Sequence, residues 1–299
     1  IRQFLPPPTA PKRIVGCSDA MWDIVAKDAS IERIATGFTF TEGPVWLRSR
    51  SALYFSDIPR NTIYECRGGS LEMLRHPSRH ANGNSLDHDG RLVTCEHSGR
   101  QVSRTEQDGS VSVLANSWGR KRLNSPNDLI VKSDGSIYFT DPPFGIKPDQ
   151  QELDFSGIYK IDPERGLLLQ DASMPAPNGL AFSLDETLLY VDDSERKELR
   201  VFDVASDGSL KNGRLAVDMD NGRPGNPDGM KLDKLGNLYV TGPGGIWVLS
   251  PNMEQLGMIK LPEIPSNCAW GEDGRSLFVT ARRSVYRIRC RIGGELLTG

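Results

Sequence analysis

No stretch of this 299-residue chain approaches the roughly 18 apolar residues that cross a bilayer. The longest apolar runs, such as Leu188-Leu189-Tyr190-Val191, have the length of a strand. Charge of either sign is also not in excess: 36 Lys and Arg stand against 39 Asp and Glu, a net charge of −3. That balance offers no field to nucleic acid or to an anionic membrane, and neither is expected as a partner. Cysteine is scarce. Cys17, Cys66, Cys95, Cys268 and Cys290 are odd in number and widely spaced, with no Cys-x-x-Cys pair, so no disulfide framework is indicated. Reduced, mostly buried thiols in a cytoplasmic protein are the expectation. The start at Ile1 is read as trimmed and shows no charged segment leading into an apolar one, and a periplasmic location stays open. Histidine is confined to His76, His80, His88 and His97, so no Cys/His set for a structural zinc is available. A Gly-x-Ser-x-Gly elbow is missing too, which argues against a serine esterase.

What the chain does have is repetition. Six short polar motifs recur: Glu42-Gly43-Pro44-Val45-Trp46, Asn82-Gly83-Asn84-Ser85-Leu86, Asn127-Asp128-Leu129, Asn178-Gly179-Leu180, Asp228-Gly229-Met230 and Asn267-Cys268-Ala269-Trp270. They lie roughly 40–50 residues apart, the spacing of propeller blades. Each is followed by a turn and a β-prone run. Asn127 leads through Ser133-Asp134-Gly135 into Ile137-Tyr138-Phe139-Thr140, and Asp228 through Leu235-Gly236-Asn237 into Leu238-Tyr239-Val240-Thr241. Asp-Gly and Gly-Asn between such runs are hairpin signals. The pattern predicts an all-β, six-bladed β-propeller over residues 31–299. Residues 1–30 form an N-terminal arm, Pro-rich to about residue 16, and a short helix capped by Ser18. The last repeat is one strand short, and a strand near 31–37 is expected to complete it and close the ring. Trp46 and Trp270 hold matching positions and are read as blade packing.

In a closed ring the first strand of each blade lines the central channel. Glu42, Asn82, Asn127, Asn178, Asp228 and Asn267 should therefore face one axis. Asn or Asp at any single copy is an ordinary turn residue. Two of the six copies, however, carry a carboxylate in place of the amide, and like charges meeting on an axis repel unless a cation lies between them. Carboxylate and carboxamide oxygens are hard donors, suited to Ca²⁺, Mg²⁺ or Mn²⁺.

At these residues the chain resembles the gluconolactonase/senescence-marker-protein-30 (regucalcin-like) family of six-bladed propeller lactonases. The likeness is carried by Glu42-Gly43-Pro44-Val45-Trp46, Ser125-Pro126-Asn127-Asp128-Leu129, Pro177-Asn178-Gly179-Leu180-Ala181-Phe182-Ser183 and Pro227-Asp228-Gly229-Met230. It is strongest toward bacterial gluconolactonases, through Asn82-Gly83-Asn84-Ser85-Leu86-Asp87, Cys95-Glu96-His97 and Phe139-Thr140-Asp141-Pro142-Pro143-Phe144-Gly145. The resemblance implies that Glu42, Asn178 and Asp228 are metal ligands. It implies that Asn127 contacts substrate or joins the coordination sphere, and that Asp228 is the general base. One departure stands out: animal members carry Arg at the position of Ser125, where it contacts the sugar acid.

The activity so implied is metal-dependent hydrolysis of a sugar lactone, glucono-1,5-lactone or a related aldonolactone, to the aldonic acid. One divalent ion is implied, calcium first, with magnesium, manganese, zinc or iron(II) as substitutes. It would polarise the carbonyl and acidify a water, while Asp228 moves the proton. Asn127, Asn82, Arg122, Glu96, His97 and Asp141 are the candidate substrate contacts, with Arg122 reaching in from Arg120-Lys121-Arg122. The small-molecule lactone is the only partner expected of a monomer or homodimer. Two other readings share the fold: an aryl esterase or organophosphatase of the paraoxonase type, and a non-catalytic calcium-binding propeller.

Overall fold

The computed structural model describes residues 13–297. The first twelve residues of the expected proline-rich arm lie outside them. Six antiparallel sheets follow one another along the chain, each ordered from an inner strand outward. Blade 1 starts with Thr41–Leu47, blade 2 with Ala81–Leu86 and blade 3 with Leu129–Val131. Blade 4 starts with Pro177–Phe182, blade 5 with Met230–Leu232 and blade 6 with Asn267–Gly271. The expected six-bladed β-propeller is what the chain forms.

Blade 6 receives its outer strand from far upstream. Ile31–Thr36 pairs antiparallel with Ser284–Arg289, matching Ile31 to Ile288 and Thr36 to Ser284, so the ring closes as expected. The segment before it is not wholly an arm. Ile14–Gly16 adds a fifth strand to blade 5 by pairing with Gln255–Ile259, covering an otherwise open sheet edge. The helix is a single turn, Met21–Ile24, whose N-cap position falls on Ala20 without any side-chain cap. The expected Ser18 cap is not made; Ser18 offers only its carbonyl, to the Met21 N–H at 3.3 Å. So short a helix cannot stand on propensity, and burial of Met21, Ile24 and Val25 against blades 5 and 6 holds it.

Apolar clusters fill the wedges between neighbouring blades. Trp46 stacks on Phe278 at 5.3 Å, and Trp270 meets Tyr239 edge-on at 5.1 Å, packing blade 6 to blades 1 and 5. Inner strands must also approach each other closely around the axis. Glycine after the motif residue permits this: a Cβ on Gly43 would lie 2.0 Å from the Asn82 carbonyl oxygen, and one on Gly179 1.8 Å from that of Asp228.

Candidate active site at the propeller axis

The ladder between the first two strands of a blade slips where the motif residue sits. Register shifts fall between Glu42 and Val45, between Ala81 and Asn84, and between Pro177 and Leu180. A bulge of this kind re-aims a side chain, and here it re-aims Glu42, Asn82 and Asn178. Asn127 and Asp228 reach the same place from the turns just before Leu129–Val131 and Met230–Leu232. Their N–H groups are held by the carbonyls of Thr140 at 2.8 Å and Thr241 at 3.1 Å.

These five side chains line a cavity of about 390 Å³, together with His97, Ser194, Glu195, Asn226 and an apolar wall that includes Phe40, Ile58 and Phe144. At its floor the polar groups touch one another in sequence around the ring. Asn82 Nδ2 donates to Asn127 Oδ1 at 2.5 Å, and Asn127 Nδ2 donates to Asn178 Oδ1. Asn178 Nδ2 donates to Ser194 Oγ at 2.9 Å. Asp228 meets both Asn178 and Glu42. Asn267 Nδ2 donates to Glu42 Oε2 and to Asp128 Oδ2, each at 3.1 Å, one layer deeper.

Electrostatically the floor is overloaded with acid. Glu42 is pushed up to about 7, first by burial and then by the Asp128 carboxylate. Asp228 is pushed well above the carboxylate range by burial, then by Glu42, Asp192 and Asp128. Asp128 is raised by burial, against the pull of Lys231. Among the described residues, Glu42 Oε1 and Asn82 Oδ1 are buried without any partner. Crowded carboxylates with an orphaned oxygen keep their protons unless a cation joins them. Among the described residues no three carboxylate, imidazole or thiol groups converge on one point. The donors open to a hard cation are thus two carboxylates plus carboxamide oxygens.

Three of the sequence candidates sit outside the cavity lining. The Glu96 carboxylate binds Arg75 Nη2 at 2.9 Å, Gln101 Nε2 at 2.7 Å and Ser103 Oγ at 2.6 Å. Asp141 is fully buried and accepts the Asn124 N–H at 2.8 Å. Both belong to a recurring set that includes Asp57, which accepts the N–H groups of Thr39 and Phe40 at 2.9 and 3.1 Å. Asp193 belongs to it too, accepting the Ala176 N–H at 3.3 Å. All four acids end the second strand of their blade; Asp57, Asp141 and Asp193 clamp the loop that enters the first, whereas Glu96 binds side chains only. Arg122 lies on an exposed two-residue strand and reaches the Gly99 carbonyl at 3.1 Å. His97 does line the cavity, its Nε2 3.0 Å from Asn82 Nδ2 and 3.2 Å from Asn127 Oδ1. Burial lowers it to about 4, so the imidazole is neutral.

Sequence reading missed Asp192, Ser194, Glu195 and Asn226. Asp192 is fully buried, takes the Gly179 N–H at 3.3 Å and leaves Oδ2 unpartnered. Its signal was available: the next-to-last residue of the second strand is Ser56, Cys95, Thr140, Thr241 and Thr280 in the other blades, and only in blade 4 is it a carboxylate. Cys268, beside Asn267, is fully buried and pushed up to about 12 by that burial, which leaves it no use as a thiolate.

Residues 40–283 match the family described as SMP-30/Gluconolactonase/LRE-like region. A gluconolactonase of Zymomonas mobilis is 35% identical, over 92% of this chain and 85% of its own. The solved structure of a gluconolactonase from Xanthomonas campestris superposes with a TM-score of 0.86 at 33% identity, covering 93% of this chain and 94% of that one. Regucalcin of Bos taurus is 27% identical over 81% of this chain and 83% of its own.

Proposed function

The chain belongs to the SMP-30/gluconolactonase/LRE-like family, and on that premise we propose that it hydrolyses glucono-1,5-lactone or a related aldonolactone to the aldonic acid. The observation that carries this reading is the meeting of Glu42, Asn127, Asn178 and Asp228 at the floor of one 390 Å³ cavity. The volume suits a single sugar ring.

The floor also fits a divalent cation: every donor is an oxygen, one Glu42 oxygen is unpartnered, and the carboxylates are strained by mutual repulsion. Glu42, Asn178 and Asp228 would hold it, with Asn127 beside them, and calcium is the ion we favour for an all-oxygen set. Such an ion would supply Lewis acidity to the lactone carbonyl and to a water.

The chain's own residues do the rest. Asp228 takes a proton from the attacking water as the new carbon–oxygen bond forms. It returns that proton to the ring oxygen as the acyl–oxygen bond breaks, leaving a free hydroxyl and a carboxylic acid. Asn127 and Asn82 present carboxamides to the ring hydroxyls, and neutral His97 adds a hydrogen bond rather than a charge. Phe40, Ile58 and Phe144 keep one wall dry. Five unpaired thiols suit the reducing cytoplasm, where we place the enzyme as a monomer or homodimer. No helix among the described residues is long and apolar enough to cross a membrane.

A pH-stat assay on glucono-1,5-lactone, with and without a chelator, tests the reading. Acid release that stops with chelator and resumes with calcium is expected; undiminished release would defeat the cation, and no release would defeat the lactonase.

A further inference from the structure

Among the described residues the cavity has no positively charged wall. Its lining includes three carboxylates, Glu42, Asp228 and Glu195, and neither lysine nor arginine. The position where animal relatives carry arginine is Ser125, which the structure commits elsewhere. Its hydroxyl donates to the Pro142 carbonyl at 2.7 Å and accepts the Gly145 N–H at 2.8 Å. It therefore braces the loop that brings Phe144 to the cavity, and is itself fully buried. Arg122 does not replace the missing cation, because it lies on an exposed strand outside the cavity lining, its Nη2 reaching the Gly99 carbonyl.

Glu195 stands at the mouth on a fixed turn. Its N–H and that of Arg196 both bind Asp193 Oδ1 at 2.9 Å. Ser194 before it donates to the Pro227 carbonyl at 2.7 Å. The adjacent Arg196 is engaged by Glu198 at 3.6 Å. A divalent cation on the floor would offset Glu42 and Asp228 and leave the charge of Glu195 uncompensated.

Resting on the lactonase reading, we propose that Glu195 makes this cavity selective for uncharged lactones and expels the anionic product. The reaction itself creates the difference it acts upon. A neutral lactone gains water across its acyl–oxygen bond, and the resulting carboxylic acid releases its proton to solvent. The ligand thus becomes an anion only after turnover, while a phosphorylated or carboxylated lactone is an anion on arrival. A carboxylate at the mouth repels both anions and ignores the neutral ring.

The test uses glucono-1,5-lactone, its 6-phosphate ester and gluconate as probes, on the wild type, Glu195→Gln and Glu195→Lys. The wild type should prefer the neutral lactone in kcat/KM and be weakly inhibited by gluconate. Removing the charge should narrow the preference and strengthen gluconate inhibition by roughly three- to ten-fold, and reversing it should do more. High salt should shrink these differences, which a merely structural role would not produce. A Glu195→Lys enzyme within about two-fold of wild type in both ratios overturns the proposal, as does a wild type that accepts the phosphorylated lactone equally well. Either result leaves the lactonase reading standing. Absence of turnover on every lactone sinks that reading and this inference with it.

Discussion

The Ser194 hydroxyl oxygen accepts a hydrogen bond from Asn178 Nδ2 at 2.9 Å while the same hydroxyl donates to the Pro227 carbonyl at 2.7 Å. A hydroxyl has one proton, and with it committed to Pro227 its oxygen must receive from Asn178. The Asn178 amide therefore turns its nitrogen outward and its oxygen toward Asn127 and the axis. Ser194 also ties blade 4 to the residue just before Asp228.

Replacing Ser194 with alanine frees that amide to rotate and present its nitrogen to a cation. Divalent-ion affinity, read by titration calorimetry, should fall by about 10- to 100-fold, as is usual when the partner of a ligand is lost. Ser194→Thr keeps the hydroxyl and should recover most of it. Unchanged affinity in the alanine variant would detach Ser194 from ligand orientation.

If Glu42 and Asp228 are ligands, a cation should stabilise the fold by removing their repulsion. Calcium at about 100 times its Kd adds about 2.7 kcal/mol, a rise of several degrees in Tm for a protein this size. Thermal melts with calcium and with chelator measure this. Glu42→Gln should raise Tm in chelator at neutral pH, because the fold no longer has to hold back the ionisation of a buried carboxyl, and should abolish most of the calcium shift. An unaltered calcium shift would remove Glu42 from the ligand set.

The ring was legible because its repeat has a physical cause. Each blade needs a polar residue turned inward, and glycine beside it where Gly43 and Gly179 pass the neighbouring backbone. The same logic marked Ile31–Thr36 as the closing strand, since an unpaired sixth blade leaves an edge. What the sequence could not separate were acids with identical neighbours and different directions. Glu96 and Asp141 both end second strands and point away from the cavity, Glu96 into side-chain hydrogen bonds and Asp141 into a loop clamp, while His97, one residue on from Glu96, faces the cavity. Side-chain direction at the end of a strand depends on bulges and loop closure, and neither is encoded in spacing. Ser194 and Glu195 were invisible for a related reason: their importance comes from Asn178, Pro227 and the cavity mouth, which only the closed ring brings near.

Asp141 gives the fold a pH dependence whose sign follows from its burial. Burial raises it to about 7, against about 4 in an unfolded chain. Below the unfolded value both states hold the proton and the group costs nothing. Between about pH 4 and 7 the unfolded chain gives up this proton while the fold keeps it, so stability falls across that range by roughly 2–4 kcal/mol and levels off once the folded carboxyl ionises too. Asp141→Asn should flatten that segment of the curve in urea unfolding at a series of pH values, while leaving KM for the lactone unaltered. An equal slope in both proteins would mean that Asp141 is ionised in the fold.

Asp228 carries the heaviest proposed load, since one carboxylate would both hold the cation and move the proton. Its replacement by asparagine keeps the shape and an oxygen donor but removes the charge and the base. Activity should drop by about 10²- to 10⁴-fold in kcat, with circular dichroism unaltered. Stability should move the other way in chelator: burial, then Glu42, Asp192 and Asp128, oppose ionisation of Asp228 in the fold while the unfolded chain ionises it freely, so asparagine removes that cost and raises Tm. That opposition is the informative part. A substitution that merely damaged the fold would lower activity and Tm together, whereas replacing a buried carboxyl that the fold keeps at a cost gives up rate and gains stability. A variant that turned over lactone at near wild-type rates would assign the proton transfer to some other group at the cavity floor.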